Sequence, residues 1–294
     1  MPTVIIIGNS AAGFSACRAL LKKNGVCDIA VISQEAYPAY RSDLLLDYLA
    51  GVVSEKDLFL CGSDFYEKNN VRFLQETTAA RVDPKKRRVI LKDGAKLEYD
   101  YLIIASGQRI ELPDIPGKTK DGALPFYSLG DALRIKDKLM VGQTVCIVGG
   151  VCESQKLGEI ISAKGKEVKV ISCELGNSSS PHEKVEILYG VVPSELIGEG
   201  AELQALKLSN GKVIGTSMVV FLAGRCAASA FTKDTDIETN QGYIVVDAAG
   251  RTTCDNVFAC GTVCCMRGEG FGDKTWDQAV NEGAQAADAV AACM

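Results

Sequence analysis

The chain has 294 residues, with 37 acidic and 32 basic side chains and a formal charge of −5, enough for about two domains that each bury a core. With 47% hydrophobic and 23% charged residues it has an ordinary globular profile, and its acidic balance excludes the net basic face that nucleic-acid phosphates demand. No apolar run approaches the roughly 18 residues of a membrane span, and the start, Met1 to Ile7, lacks the basic region of an export signal, so a cytoplasmic location is expected.

In chain order, the β-branched run Val4–Ile7 reads as a strand and is followed at once by Gly8-Asn9-Ser10-Ala11-Ala12-Gly13. An Ala/Leu-rich segment from Phe14 to Lys22 reads as a helix that Asn24-Gly25 ends, and Asp28–Ile32 is the next strand. This is a βαβ unit with its glycine turn at a helix N-terminus. Strands are then expected at Arg87–Leu91 and Tyr101–Ala105, bracketing the turn Lys92-Asp93-Gly94, and the Pro- and Gly-rich stretch Leu112–Pro125 reads as a linker. A second βαβ unit follows: strand Val145–Val148, turn Gly149-Gly150, helix Ser154–Ala163 and strand Val168–Ser172. Gly242–Val246 and Val257–Ala259 read as strands, and Asp277–Ala292 as an Ala-rich helix.

The chain holds 12 cysteines and one histidine. No cysteine pair has C-x-x-C spacing, which removes the usual signatures of dithiol chemistry and ribbon-type zinc sites. A lone histidine, His182 in the Ser-rich turn after Gly176, argues against His-rich metal centres and Ser-His-Asp catalysis. No metal is expected, and most cysteines read as small buried hydrophobes of a reducing compartment.

The first glycine turn suits a dinucleotide pyrophosphate resting on a helix N-terminus. Gly8 lets the strand turn tightly, Gly13 lets the helix pack on the sheet, and the N–H groups of Ser10, Ala11 and Ala12 face the phosphates. Glu35, about 20 residues further on, stands where an acceptor takes the ribose hydroxyls. Ser10 occupies the middle glycine position of the motif.

The stretch Ile5 to Gly13 followed by Val31 to Tyr40 resembles the FAD-dependent pyridine nucleotide–disulfide oxidoreductase superfamily, nearest its rubredoxin-reductase and nitrite-reductase-like branch. Tyr99 to Gly107 (YDYLIIASG) resembles the family's "YDxLIIATG", Asp247 to Gly261 (DAAGRTTCDNVFACG) its segment ending in "FAxGD", and Asn281 to Ala287 its terminal "GxxAA" helix. The resemblance implies an α/β fold of two Rossmann-like three-layer domains, the second inserted in the first. The FAD-binding domain would comprise 1–112 and 241–294, and a reduced NAD(P)-binding-like domain 113–240. Gly8, Ser10, Ala11, Ala12, Gly13 and Glu35 would hold the ADP half of FAD, and Ala105, Gly107, Gly261 and Thr262 the rest.

Several positions depart from the family pattern. Thr262 replaces the aspartate of "GD". The inserted turn carries Gly149, Val151 and Ser154 at its three glycine positions, with Glu153 adding negative charge beside any phosphate, so NAD(P)H binding is expected to be impaired. A long helix expected after Glu174 is missing, and Tyr40 to Leu45 hold no redox-active cysteine. The 294 residues do not run on into the family's dimerisation domain, so its dimer is not assumed. Arg41, one position off the family's "SRP" register, reads as a surface residue, and Trp276 as packing near the flavin edge or the core. Cys260, Cys264 and Cys265 would lie near the flavin, either as redox groups or as small buried residues, with Cys152 in the eroded turn. The leading expectation is an FAD-dependent oxidoreductase passing electrons between a donor and a protein partner, iron–sulfur or rubredoxin-like. The alternatives are an NAD(P)H-dependent reductase of a small electron carrier and a non-catalytic flavin-binding subunit of a larger complex.

Overall fold

A computed structural model describes residues 1–23, 27–176, 183–268, 270 and 272–294. His182 and the Ser-rich turn before it lie outside the described residues. The chain divides into two compact units. One comprises Met1–Asp43, Lys56–Gln108 and Cys226–Met294, and the other Leu44–Glu55 and Arg109–Arg225.

The first unit is built on a parallel five-stranded sheet in the order Val257–Ala259, Tyr101–Ile104, Thr3–Ile7, Asp28–Ile32, Arg72–Leu74. Its central strands are apolar throughout because both faces are covered. Alternation of side chains along each strand splits them between two cores. Val4, Ile6, Val31 and Ile103 face the helices Ala11–Leu21 and Trp276–Cys293. Ile5, Ile7, Ile32, Leu102 and Ile104 face Val82, Val89 and Leu91 of a three-stranded antiparallel sheet and Ile244 to Val246. The layers are thus helix, parallel sheet and antiparallel sheet.

The second unit repeats this plan. Its parallel sheet runs Val185–Leu188, Glu167–Ile171, Thr144–Val148, Met218–Phe221, Ala123–Pro125. On one face the helix Val151–Ala163 approaches closely at Gly158, where a Cβ would meet Val168 at 3.3 Å and Val185 at 3.4 Å. On the other, Leu196, Leu206 and Ile214 of a second antiparallel sheet pack on Cys146, Val148 and Phe221. The helix Leu129–Lys138 starts on a capping box in which Ser128 and Asp131 satisfy each other's backbone N–H. Between Ile171 and Val185 none of the described residues is helical.

Two local expectations need correction. The turn at Lys92–Gly94 does not lead to Tyr101–Ile104. It closes a hairpin between Arg88–Leu91 and Lys96–Glu98, a strand whose charged ends hide a half-buried Leu97. The stretch 112–125 is not a loose linker. A Cβ on Gly117 would sit 2.0 Å from the Leu196 carbonyl oxygen and one on Gly122 2.2 Å from that of Ser217; its glycines serve close packing, and the chain crosses between units at Asp43/Leu44, Glu55/Lys56, Gln108/Arg109 and Arg225/Cys226.

All 12 cysteines are free thiols. Burial, reinforced by neighbouring Cys61 and Cys27, pushes Cys17 up to about 12, and burial pushes Cys146 up to about 12. Because these folded values lie above the ordinary 9.0, stability is complete below pH 9 and is lost as pH rises through the folded values, by about 1.4 kcal/mol per pH unit for each thiol. Thermal melts followed by circular dichroism should show a flat melting temperature up to pH 9 and a fall beyond it. Replacing both cysteines by alanine should flatten that fall.

Candidate functional site

The first glycine turn is held by sterics that only glycine satisfies. Gly8 has φ +110°, and a Cβ there would lie 2.1 Å from the Ala105 carbonyl oxygen. A Cβ on Gly13 would lie 2.1 Å from the Gly8 carbonyl oxygen. The helix begins at Ala11 directly after the turn; Ser10 at its N-cap makes no capping hydrogen bond, and its first turn carries no acid. That end therefore offers unpaired N–H groups and the positive end of the helix dipole. Asn9, within the turn, accepts a hydrogen bond from the Tyr66 hydroxyl at 2.7 Å, while its buried amide nitrogen has no partner. Glu35, three residues beyond the strand Asp28–Ile32, accepts from the Tyr40 hydroxyl at 2.7 Å.

The other expected cofactor residues fall around the same point. Ala105 abuts Gly8, and Gly107, at φ +68°, accepts from the Ala228 N–H at 2.9 Å while Ser106 donates to the Ala228 carbonyl at 2.8 Å. Gly261, at φ +79°, comes so close to Ala12 that a Cβ would meet the Ala12 Cβ at 2.9 Å. The turn, the Ala105–Gly107 segment and Gly261 thus form one cradle with an unpartnered amide donor in its floor, which fits the pyrophosphate of a dinucleotide such as FAD. Sequence reasoning missed Asn9, Tyr66 and Tyr40, whose roles depend on tertiary contacts, and Lys274 and Glu282, which hydrogen-bond Gly261.

The second glycine turn has the same strand register but a different interior. Gly149 donates to the Ile171 carbonyl at 3.1 Å, as Gly8 does to that of Ile32 at 2.9 Å. Gly149 is not left-handed, and Ser154, at the place of Gly13, is fully buried with an unpartnered hydroxyl. The Glu174 carboxylate accepts the Val151 N–H at 3.2 Å. Glu153, in the first turn of this helix, is paired with Arg225 at 2.8 Å, and a second acid, Glu174, also stands at this helix N-terminus. Cys152 is exposed on the first turn of the same helix.

Cys260, Cys264 and Cys265 are buried. Burial raises all three thiols, Cys260 well above the ordinary value and Cys264 to about 11, so at neutral pH they are protonated and weakly nucleophilic. Trp276 is half-buried, with the Arg41 guanidinium 5.2 Å from its ring centroid, and Arg41 pairs with Asp43 at 2.6 Å. Among the described residues no group of three or more His, Cys, Asp or Glu could hold a metal ion, and no helix is long and apolar enough to cross a membrane.

Comparison with known proteins follows the same outline. The profile of the pyridine nucleotide-disulphide oxidoreductases matches residues 2–286. NADH-rubredoxin oxidoreductase of Clostridium acetobutylicum is 30% identical over 284 residues, covering 92% of this chain and 70% of that protein. A probable ferredoxin reductase of Castellaniella defragrans is 27% identical over 277 residues, covering 89% and 68%. The crystal structure of the Clostridium acetobutylicum NADH:rubredoxin oxidoreductase superposes with a TM-score of 0.80 at 28% identity, over 99% of this chain and 75% of that one. The ferredoxin reductase for the CYP199A2 system of Rhodopseudomonas palustris shares the fold, with a TM-score of 0.87 at 21% identity over 99% and 76%.

Gly8→Ala should cost about 2–6 kcal/mol, combining a forced left-handed alanine with overpacking against Ala105. The exposed Gly215, which has open space around its Cα, should accept alanine with a change within about 0.5 kcal/mol. Thermal melts of the two variants test the contrast.

Proposed function

We propose, for a chain that belongs to the pyridine nucleotide-disulphide oxidoreductase family, that it passes electrons between a donor and a small redox protein of the rubredoxin or ferredoxin kind. It is an FAD-dependent oxidoreductase. The observation that carries the proposal is the contrast between the two turns: the first presents bare N–H groups and an unpartnered Asn9 amide, while in the second the chain's own Glu174 accepts the Val151 N–H.

When bound, FAD supplies both one- and two-electron chemistry, and the protein supplies binding, orientation and electrostatics. In this reading the N–H groups at Ser10, Ala11 and Ala12 hold its pyrophosphate, with Gly8 and Gly13 giving the backbone access. Glu35, steadied by Tyr40, takes the adenosine ribose hydroxyls, and Ala105, Gly107, Gly261 and Thr262 line the remainder. The unit that holds Gly8, Met1–Asp43 with Lys56–Gln108 and Cys226–Met294, serves as the FAD domain, and Arg109–Arg225 as an inserted domain with a weakened nucleotide turn. The protein works in the cytoplasm.

A second reading has NADH as the donor. It is favoured by the place of Glu174, three residues beyond Ile171 just as Glu35 lies three beyond Ile32, and by the named activity of the Clostridium relative. The two readings differ in what Glu174 does: it blocks the Val151 N–H, or it swings out to a ribose.

Anaerobic titration of the flavin-loaded protein separates them. With Glu174 as a block, NADH should bleach the flavin only at concentrations above about 1 mM, the upper end of common substrate constants. Glu174→Gln should then improve apparent NADH affinity about two- to fivefold, the effect of removing one charge from a helix N-terminus. Rapid bleaching by micromolar NADH, weakened in Glu174→Gln, would establish the second reading.

A further inference from the structure

Gly261 is gripped at both of its backbone polar groups by side chains 13 and 21 residues further along the chain. Its N–H donates to the Glu282 carboxylate at 2.8 Å, and its carbonyl accepts from the Lys274 ammonium at 3.0 Å. Lys274 and Glu282 are themselves paired at 2.8 Å, which closes a ring of three strong contacts around one residue. The Cys264 thiol adds a fourth, donating to the same carbonyl at 3.3 Å, with the Lys274 ammonium 3.7 Å from its sulfur. The ring is rigidly mounted. Glu282 lies in the helix Trp276–Cys293, and Lys274 immediately precedes Thr275, whose capping box with Gln278 starts that helix. Burial works against the charge on Lys274, but Cys264 and Glu282 outweigh it and its pKa lies above the ordinary lysine value.

Such an arrangement is costly for mere attachment. Two half-buried charges lose hydration, and a neutral pair could hold a glycine backbone equally well. What the ring achieves is orientation. It fixes a left-handed glycine whose Cα touches Ala12 in the first turn of the phosphate-facing helix, and it leaves the next residue, Thr262, with a hydroxyl that bonds to no described residue.

We propose that Lys274 and Glu282 are positioning residues that clamp Gly261 so that the Thr262 hydroxyl and the Ala12 turn are preset for the cofactor. This rests on the reading that Gly261 and Thr262 line FAD. The clamp acts through the backbone of Gly261 without touching the reacting atoms. It supplies by rigidity what a short neutral threonine lacks in reach and charge.

Apoprotein is titrated with FAD by fluorescence quenching, and the visible spectrum and midpoint potential of the reconstituted flavin are recorded. Lys274→Met and Glu282→Gln are each expected to weaken FAD about ten- to hundredfold, the range for losing a charged hydrogen bond. The double change should cost less than the sum of the two, because the partners act together. Both variants should move the flavin absorption bands or the potential, which loss of a remote staple would not do. Lys118→Met, which removes the equally close but exposed pair with Asp114, is the control and should leave FAD binding unchanged. Where Lys274→Met strands a half-buried carboxylate and fails to fold, Glu282→Gln carries the test, since glutamine keeps an acceptor for the Gly261 N–H. Wild-type protein that takes up no FAD overturns the cofactor reading and the clamp with it. Variants that bind FAD like the wild type with an unchanged spectrum overturn the clamp alone.

Discussion

The site depends on how closely the first and last helices approach. Gly283 packs against Ala12 with no room for even a methyl group: a Cβ there would lie 2.1 Å from the Ala12 carbonyl oxygen. Through that contact the helix Trp276–Cys293 lies along Ala11–Leu21, with Ala279, Ala286, Ala287 and Val290 filling one core together with Ala16, Cys17 and Leu20. Small residues allow this approach, since dispersion falls off steeply with separation. The same approach brings Glu282 beside Gly261 and Gly261 beside Ala12. A bulkier residue at 283 would part the helices and move every group of the cradle.

The two glycine turns show how one scaffold gives different electrostatic outcomes. Both follow a parallel strand and open a helix, and both donate from their first glycine to the next strand. In the first, the acid beyond the second strand is held by Tyr40, and no side chain caps the helix end. In the second, the equivalent acid caps the helix itself and satisfies Val151. A helix end already neutralised by its own protein has less to gain from an outside phosphate. Strand, turn and helix alone do not make an anion site; what matters is where the nearest carboxylate rests.

Much of this was legible in the sequence. Both βαβ units, the first glycine turn and the segments at Ala105–Gly107 and Gly261 are written in local patterns of apolar runs and glycines, which the strand period and helix caps read directly. What was not legible depends on partners far apart in the chain. Glu153 reads as added negative charge in its turn, and its pairing with Arg225, 72 residues away, cannot be foreseen. Lys274 and Glu282 gave no signal, since an isolated lysine and a helix-borne glutamate are usually solvated. The strand Lys96–Glu98 escaped notice because only Leu97 of its three residues is apolar, and the prolines and glycines of 112–125 suggested a linker where the glycines permit close packing. The cysteine cluster is evident in composition, but its protonation is set by burial, which composition does not report.

The sheet order of the first unit also bears on how the protein is made. Of the strands of that sheet Thr3–Ile7 comes first in the sequence yet sits at its middle, while one edge strand, Val257–Ala259, and the helix on which Ala12 rests follow the inserted residues. Translation proceeds at about 5–20 residues per second, and domains fold as units. The inserted unit can therefore close once Arg225 has emerged, whereas the sheet of the first unit keeps an open edge until Val257–Ala259 appears and an uncovered face until Trp276–Cys293 follows. During that interval the apolar faces of Ile5, Ile6 and Ile7 lack their final cover, the condition under which nascent chains are most exposed to aggregation and to chaperone capture.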